Sequence, residues 1–575
     1  MKFHRTAALI LTFAALALGC SPQGQTSAIT APDILVVNAD VYTVDPAAPR
    51  VSAFAIIDGK FTAIGDTQNI SSLAGSNTVI LDVEGRTVIP GLIDAHSHVD
   101  GNAPVVAGVD LSYIVNKSEW VDLIKAANAR LPKGEWITGG YWDHMLSDSI
   151  YPNKEMIDSI TPDRPVFLNH IDGHYAWVNS HALELAGVTA QTVVPPGGEI
   201  VVDPKSGQPT GILLEGAMRV VRDIIPERTD SQRHTGLADM QKYANSFGLT
   251  GLHQMGTLED YLHIVENGDP TLRVWYGARF RLGPELSIDD AIDNVLNTKK
   301  DVEARVKATG KTDTVGPLLN LGYIKLLNDG VLSAHTAVLT EDYTDRANWK
   351  GEYIINPNEL KQQVQAITSA GIPVAIHSIG DAAVKASIDA FESAQNNPVP
   401  YPNRVEHVEM VHFEDILRFK ALGVAASMQP NHATNSIAYV PKRVGTKREQ
   451  RAYVWKSMLD ANVPLVYGAD YPTSPLSPLT QMADAMFRIS PFGLNDGKPW
   501  HPEQAVEFED ALLAYTQAGA NLTPWKDSIG SISKGKWADF VILDNVVPSP
   551  MDESFRKIRV DKTYMAGREI YTKMK

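Results

Sequence analysis

Two histidines one residue apart, His96 and His98, close the apolar stretch TVIPGLIDAHSH. On a β-strand, residues i and i+2 point to the same side, so the two imidazoles aim together. They are either two ligands of one metal ion or two unrelated surface histidines. Four more chemistry-bearing residues sit in similar surroundings: Lys325 in YIKLLNDG, His377 in IPVAIHSIGD, His407 in RVEHVEMV and Asp470 in VPLVYGADYP. A polar or charged side chain inside an apolar strand costs several kcal/mol unless it is paired or metal-bound. Imidazole and carboxylate are donors suited to borderline divalent cations. Taken singly, each residue has an ordinary explanation. A lone strand histidine is commonly a hydrogen-bonded core residue, Lys325 has Asp329 close by, and Asp470 before Tyr-Pro could cap a turn. The set is harder to explain away, because five strand ends would each need a separate reason.

The surrounding sequence has the rhythm such a set requires. Eight β-type runs recur, TVIPGLIDAHSH, LTGLHQMG, LRVWYGARF, LGYIKLLNDG, IPVAIHSIGD, RVEHVEMV, GVAASMQP and VPLVYGADYP, most of them separated by helical stretches such as PNELKQQVQAITSAG. Eight strands with helical crossovers make an α/β protein of the (β/α)8 TIM-barrel class, whose chemistry lies at the carboxyl ends of the strands. His96, His98, Lys325, His377, His407 and Asp470 all fall in or at the ends of these runs. The first gap is far too long for one crossover and predicts an insertion over about 103–240, placed to form part of the wall of a substrate pocket. Residues 33–88 and 519–575 share a different texture of short alternating strands, with turn pairs at Asp58-Gly59 and Ala566-Gly567. Neither piece can form a stable sheet alone, so the two chain ends are expected to build one small β domain beside a barrel over 89–518.

The order of these pieces resembles the amidohydrolase superfamily, and in particular its amidohydrolase-3 branch, which includes N-substituted formamide deformylases. The resemblance runs through NADVYTVD, PGLIDAHSH, DGHYAWVNSHAL, GGEIVVDPKSGQPTGILLE, KLLNDG, HSIGDAAV, RVEHVEMV, GADYP and GSISKGKWADFVILD, covering essentially the whole mature chain. It implies a metal-dependent hydrolase with two divalent cations, zinc being the expected one. His96, His98 and Asp470 would hold the first cation and His377 and His407 the second, with Lys325 bridging both as a carbamate. It further implies that Asp470 is the catalytic acid–base and that the substrate is a small non-peptide amide or formamide. A cyclic amide, a deaminase-type reaction or ester hydrolysis at the same centre are the nearest alternatives. A non-catalytic surface binding protein on the same fold is the alternative from another class. His174, His253, Arg279, Arg281, His335, His432, Tyr141 and Trp142 are candidates for contact with substrate, and Asp381 for capping the next helix or orienting His377.

Bulk properties narrow the partners. The net charge is −16 over 575 residues, with no run of Lys and Arg, which excludes a phosphate-binding face for nucleic acid. No G-x-S-x-G elbow, P-loop or G-x-G-x-x-G is present. Lys2 and Arg5 precede an apolar run from Ala7 to Leu18, then Gly19 and the sole cysteine, Cys20. This has the layout of a secretory signal over 1–19 and resembles a lipoprotein signal, with Cys20 as the lipidated residue and 20–32 as a linker. The expectation is an exported, periplasmic or cell-surface protein held to a membrane by a lipid anchor only, with a small-molecule amide as partner. A homo-oligomer is compatible with this composition.

Overall fold

The structure is a computed structural model describing residues 31–574 apart from 113, 145–146, 149, 172–174, 195–197 and 281–285. Cys20, the leader and most of the linker, together with His174 and Arg281, lie outside the described residues. Among the described residues no helix is long and apolar enough to cross a membrane.

Eight parallel strands form one sheet: β1 (Leu92–Ser97), β2 (Leu249–Gln254), β3 (Arg273–Arg279), β4 (Leu319–Leu327), β5 (Val374–Ser378), β6 (Arg404–His407), β7 (Ala425–Met428) and β8 (Leu465–Tyr467). Each pairs with its sequence neighbour, and a bridge between Ser97 and Tyr471 brings β8 back to β1. The expected TIM barrel is present. Its crossovers are amphipathic helices such as Pro357–Ser369, which buries Leu360, Val364 and Ile367 at helical spacing against the strands.

The stretch read as one strand from Thr87 to His98 is two. Thr87–Pro90 pairs with Asp40–Tyr42 and Phe540–Leu543, and only Leu92–Ser97 enters the barrel. The break is at Gly91, where a Cβ would lie 2.3 Å from the Thr250 hydroxyl, a separation only glycine avoids.

Both chain ends join in the small β domain, because Phe540–Leu543 pairs antiparallel with Thr87–Pro90. A second sheet orders Lys60–Gly65, Ala53–Ile57, Ile34–Val37 and Val79–Asp82. Asp58-Gly59 makes the hairpin turn with φ of +49° and +71°, the left-handed pair that suits the twist of the flanking strands. This domain is tied to the barrel by the buried ion pair of Arg273 and Asp539, with Nε–Oδ2 at 2.6 Å and Nη2–Oδ1 at 2.8 Å. The same guanidinium donates to the carbonyls of Val315 and Pro317.

Between β1 and β2 the chain builds a separate six-stranded sheet, from Val109–Asp110 to Glu199–Val202. It has its own core of Trp120, Trp142, Trp177, Ile124 and Leu168.

Candidate active site

Barrel closure delivers the carboxylate. Where β8 meets β1, the Asp470 amide donates to the His96 carbonyl at 2.7 Å and the His98 amide donates to the Tyr471 carbonyl at 3.0 Å. Asp94 clamps the same seam, its carboxylate accepting from the amides of His96 and Ala469. Burial pushes the Asp94 carboxyl up to about 7 against the pull of those two amides. Gly468 passes so close that a Cβ there would lie 2.4 Å from the His96 nitrogen.

Four histidines then converge with Asp470. Nε2 of His96 and Nε2 of His98 each stand 3.2 Å from Asp470 Oδ1. Donor atoms of His96, His407 and Asp470 lie within 4.8 Å of one another. The His407 ring is centred 4.8 Å from that of His96 and 4.4 Å from that of His377.

Their second nitrogens are held from outside. His96 Nδ1 meets Glu406 at 2.7 Å, His98 Nδ1 the Met255 carbonyl at 3.3 Å, and His407 Nδ1 Gln429 Oε1 at 2.9 Å. His377 uses Nε2 on the Gly330 carbonyl at 3.3 Å. Acceptors on the outer nitrogen fix ring orientation and leave the other nitrogen facing inward, the arrangement expected of metal-ligating histidines.

Lys325 rises from β4 into this cluster. It is 4 % exposed, and its Nζ has no hydrogen-bond partner among the described residues. Burial draws the amine down to about 8, against the opposing charges of Glu406 and Asp470. The ion pair with Asp329 open to it from sequence does not form. Asp329 instead accepts the amides of Val338, Ile379 and Gly380. Burial would raise the Asp470 carboxyl, but His96 and His98 outweigh it and hold Asp470 well below the carboxylate range. Nitrogen and oxygen donors of this kind, around an amine left without a partner, fit a divalent-cation centre.

Glu406 and Arg404 were not singled out from sequence. Glu406 is fully buried, 2.7 Å from His96 Nδ1 and 2.6 Å from Arg404 Nε. Burial alone would raise its carboxyl, but Arg404, His96 and Lys325 hold it well below the usual range. The signal was present in RVEH: Arg404 and Glu406 are charged residues two apart in an apolar strand. Adjacent strand residues point to opposite faces, yet Glu406 and His407 both reach His96. The strand ends at His407, whose φ is +74°.

The substrate candidates separate. Arg279 ends β3, exposed and in register with Lys325. His432 follows β7, its ring 6.1 Å from that of His407 and its Nδ1 3.4 Å from Glu409. Tyr141 is half-buried at φ +59°.

Other expectations need correction. His253 is buried inside the barrel with Nδ1 2.6 Å from Arg404 Nη1, and burial followed by Arg404 keeps it neutral. It supports Arg404 and is not a pocket residue. Trp142 is fully buried, packed on Trp120 and Trp177 with Nε1 donating to the Leu168 carbonyl, so it forms core and not a pocket wall. His335 meets Asp345 at 3.0 Å and packs edge-on to Tyr343. Asp381 begins the helix Asp381–Ser393 but does not hold His377. Its carboxylate accepts from the Thr340 amide and hydroxyl and faces His412 at 3.2 Å.

Known proteins carry the same arrangement of chain. Residues 79–571 match the model of the amidohydrolase family. The chain is 31 % identical over 548 residues to Protein LONG AFTER FAR-RED 3 of Arabidopsis thaliana, covering 94 % of this chain and 91 % of that one. It is 26 % identical over 553 residues to an N-substituted formamide deformylase of Arthrobacter pascens, covering 93 % and 97 %. Among solved structures, an uncharacterized metal-dependent hydrolase from Pyrococcus furiosus superposes with a TM-score of 0.66 at 26 % identity, covering 88 % of this chain and 98 % of that one. With a closed barrel, convergent metal-type donors at its mouth and a family match over most of its length, the chain belongs to the amidohydrolase family of metal-dependent hydrolases.

Proposed function

We propose that this hydrolase cleaves the C–N bond of a small non-peptide amide or formamide. The observation that carries the reading is Lys325, an amine buried without a hydrogen-bond partner beside His96, His377, His407 and Asp470. An isolated buried ammonium is costly, whereas a neutral amine is free to add CO2 and, on losing one N–H proton to solvent, become a two-oxygen carbamate anion. His96, His98 and Asp470 would hold one cation, His377 and His407 the other, and carboxylated Lys325 would bridge them. Two such cations, expected to be zinc, would supply polarisation of a carbonyl and a lowered pKa for water, towards neutrality.

Asp470 does the proton work. Kept ionised by His96 and His98, its carboxylate takes a proton from the attacking water and returns it to the departing nitrogen. Amide nitrogen leaves poorly until it is protonated, which is why a carboxylate is needed there. Glu406 keeps His96 oriented, and Arg279 at the open mouth stands where a polar group of the substrate would be met. The similarity to an N-substituted formamide deformylase supports a formyl or small acyl group on nitrogen.

The test is a panel of N-formyl, N-acetyl and aminoacyl amides assayed with added zinc. Turnover of at least one acyl amide is expected, abolished by a chelator and absent from His96→Ala and Asp470→Asn proteins that remain folded. Hydrolysis of esters or deamination of amines with no amide turned over would overturn the bond assignment. Chelator-resistant activity would overturn the metal.

A further inference from the structure

We propose, on the reading of this centre as an amide hydrolase, that Arg279 binds a carboxylate of the substrate, so that the molecule cleaved is an acidic amide. The side chain faces the inside of the barrel. From Gly277 to Arg279 strand β3 keeps register with β4, Gly277 opposite Tyr323 and Arg279 opposite Lys325. A Cβ on Gly277 would stand 2.3 Å from the Tyr323 ring, and that ring carries the buried Arg404 guanidinium at 4.2 Å. Gly277 therefore marks the inner face of β3. Residues two apart on a strand share a face, which sets Arg279 on the same wall, one layer nearer the mouth.

Lys325 occupies that layer on the next strand, about 4.8 Å away, and its carbonyl accepts from the Phe280 amide at 3.2 Å. Burial chiefly lowers the Lys325 amine, with Arg404 and Arg279 adding to it against Glu406 and Asp470. The Arg279 charge is thus felt inside the donor cluster.

Nothing in the described protein claims that charge. Arg279 is exposed and makes no hydrogen bond, ion pair or ring contact among the described residues. Other arginines are taken. Arg273 pairs with Asp539 and Arg404 with Glu406 inside the molecule, and Arg305 and Arg568 pair with carboxylates at its surface. With 67 Asp and Glu against 51 Lys and Arg, acidic partners are plentiful, yet none of the described ones pairs with this inward-facing guanidinium. Its planar fork of donors meets a carboxylate through two parallel hydrogen bonds. One strand from Lys325, the fork reaches a group close to the scissile C–N bond, on its nitrogen side or its acyl side.

Paired ligands on the full-length, zinc-loaded protein test this. N-acetyl amino acids and N-substituted succinamic acids place the carboxylate on the two sides of the bond, and each is compared with its neutral carboxamide. Turnover is read as kcat/KM. Binding is read separately by calorimetry, on ketones in which CH2 replaces the amide NH and no C–N bond can be cut. The acid of at least one pair should bind about 10- to 100-fold more tightly than its carboxamide, the worth of a charged hydrogen bond. Arg279→Gln, which removes an exposed side chain that bonds nothing in the fold, should erase that preference, and Arg279→Lys should restore part of it. Equal binding of acid and carboxamide in both pairs would overturn the carboxylate site. A preference kept by Arg279→Gln would assign the anion to the cations and overturn the role of Arg279. An equal fall in kcat on acid and carboxamide, with the preference intact, would place Arg279 on the Lys325 carbamate and overturn it too. Tighter binding of the acid ketones with no amide turned over would sink the amide reading and leave the carboxylate site standing.

Discussion

Glu406 Oε2 lies 2.7 Å from His96 Nδ1, joining the last but one residue of a barrel strand to a ligand candidate 310 positions earlier. Arg404 anchors the far oxygen at 2.6 Å and rests on the Tyr323 ring at 4.2 Å. A buried carboxylate on the outer nitrogen fixes the tautomer of His96 and raises its basicity. Glu406→Gln should therefore weaken metal affinity by about 10–100-fold, the usual cost of losing such a partner. Competition with a chromophoric chelator measures this, and unchanged affinity would reduce Glu406 to a packing residue.

Lys325 offers a test in which stability and activity separate. An unpartnered buried amine contributes no hydrogen bond to the fold, so Lys325→Met should leave the Tm unchanged or raised while turnover disappears. A structural lysine would behave the other way, with a fall in Tm and activity retained.

The same amine sets a pH dependence. Its pKa falls from 10.5 to about 8 on burial. Below that value it is an ammonium, which cannot add CO2; above it the neutral amine is exposed to reaction. Reactivation of stripped protein by zinc at a fixed concentration of dissolved CO2 should accelerate as pH rises through about 8 and level off beyond it. A rate that is flat or falls over that range would argue against Lys325 as the group modified.

Gly468 is where strand closure and chemistry meet. A Cβ would stand 2.4 Å from the His96 nitrogen and 2.8 Å from Asp94 Oδ1, both backbone or clamped atoms that cannot yield cheaply. Gly468→Ala should push the β8 end outward, carry Asp470 away from His96 and His98, and lower kcat with little change in overall secondary structure. Circular dichroism with steady-state kinetics reads both.

Asp539→Ala addresses the joint between the two domains. It leaves Arg273, whose side chain is fully buried, without its carboxylate. Breaking a buried pair from one side costs about 3–5 kcal/mol. Chemical denaturation should show a loss of that size, and a loss below about 1 kcal/mol would mean that Val315 and Pro317 suffice to hold the guanidinium.

Much was legible in the sequence because it is local. Apolar β-type runs gave the eight barrel strands, Asp58-Gly59 and Ala566-Gly567 gave hairpin turns of the small β domain, and His96-x-His98 gave a pair of imidazoles at one strand end. Each of these follows from side-chain alternation or backbone φ preference within a few residues. What the tertiary structure alone decided is which distant groups meet. The pairing of Glu406 with His96, the clamp of Asp94 on Ala469, and the absence of any Asp329 contact for Lys325 depend on how a twisted sheet closes. His253 and Trp142 looked like pocket residues and are core, because burial is set by what packs on a strand from elsewhere in the chain. A linear pattern records which side chains share a strand face; closure of the barrel determines which faces come together.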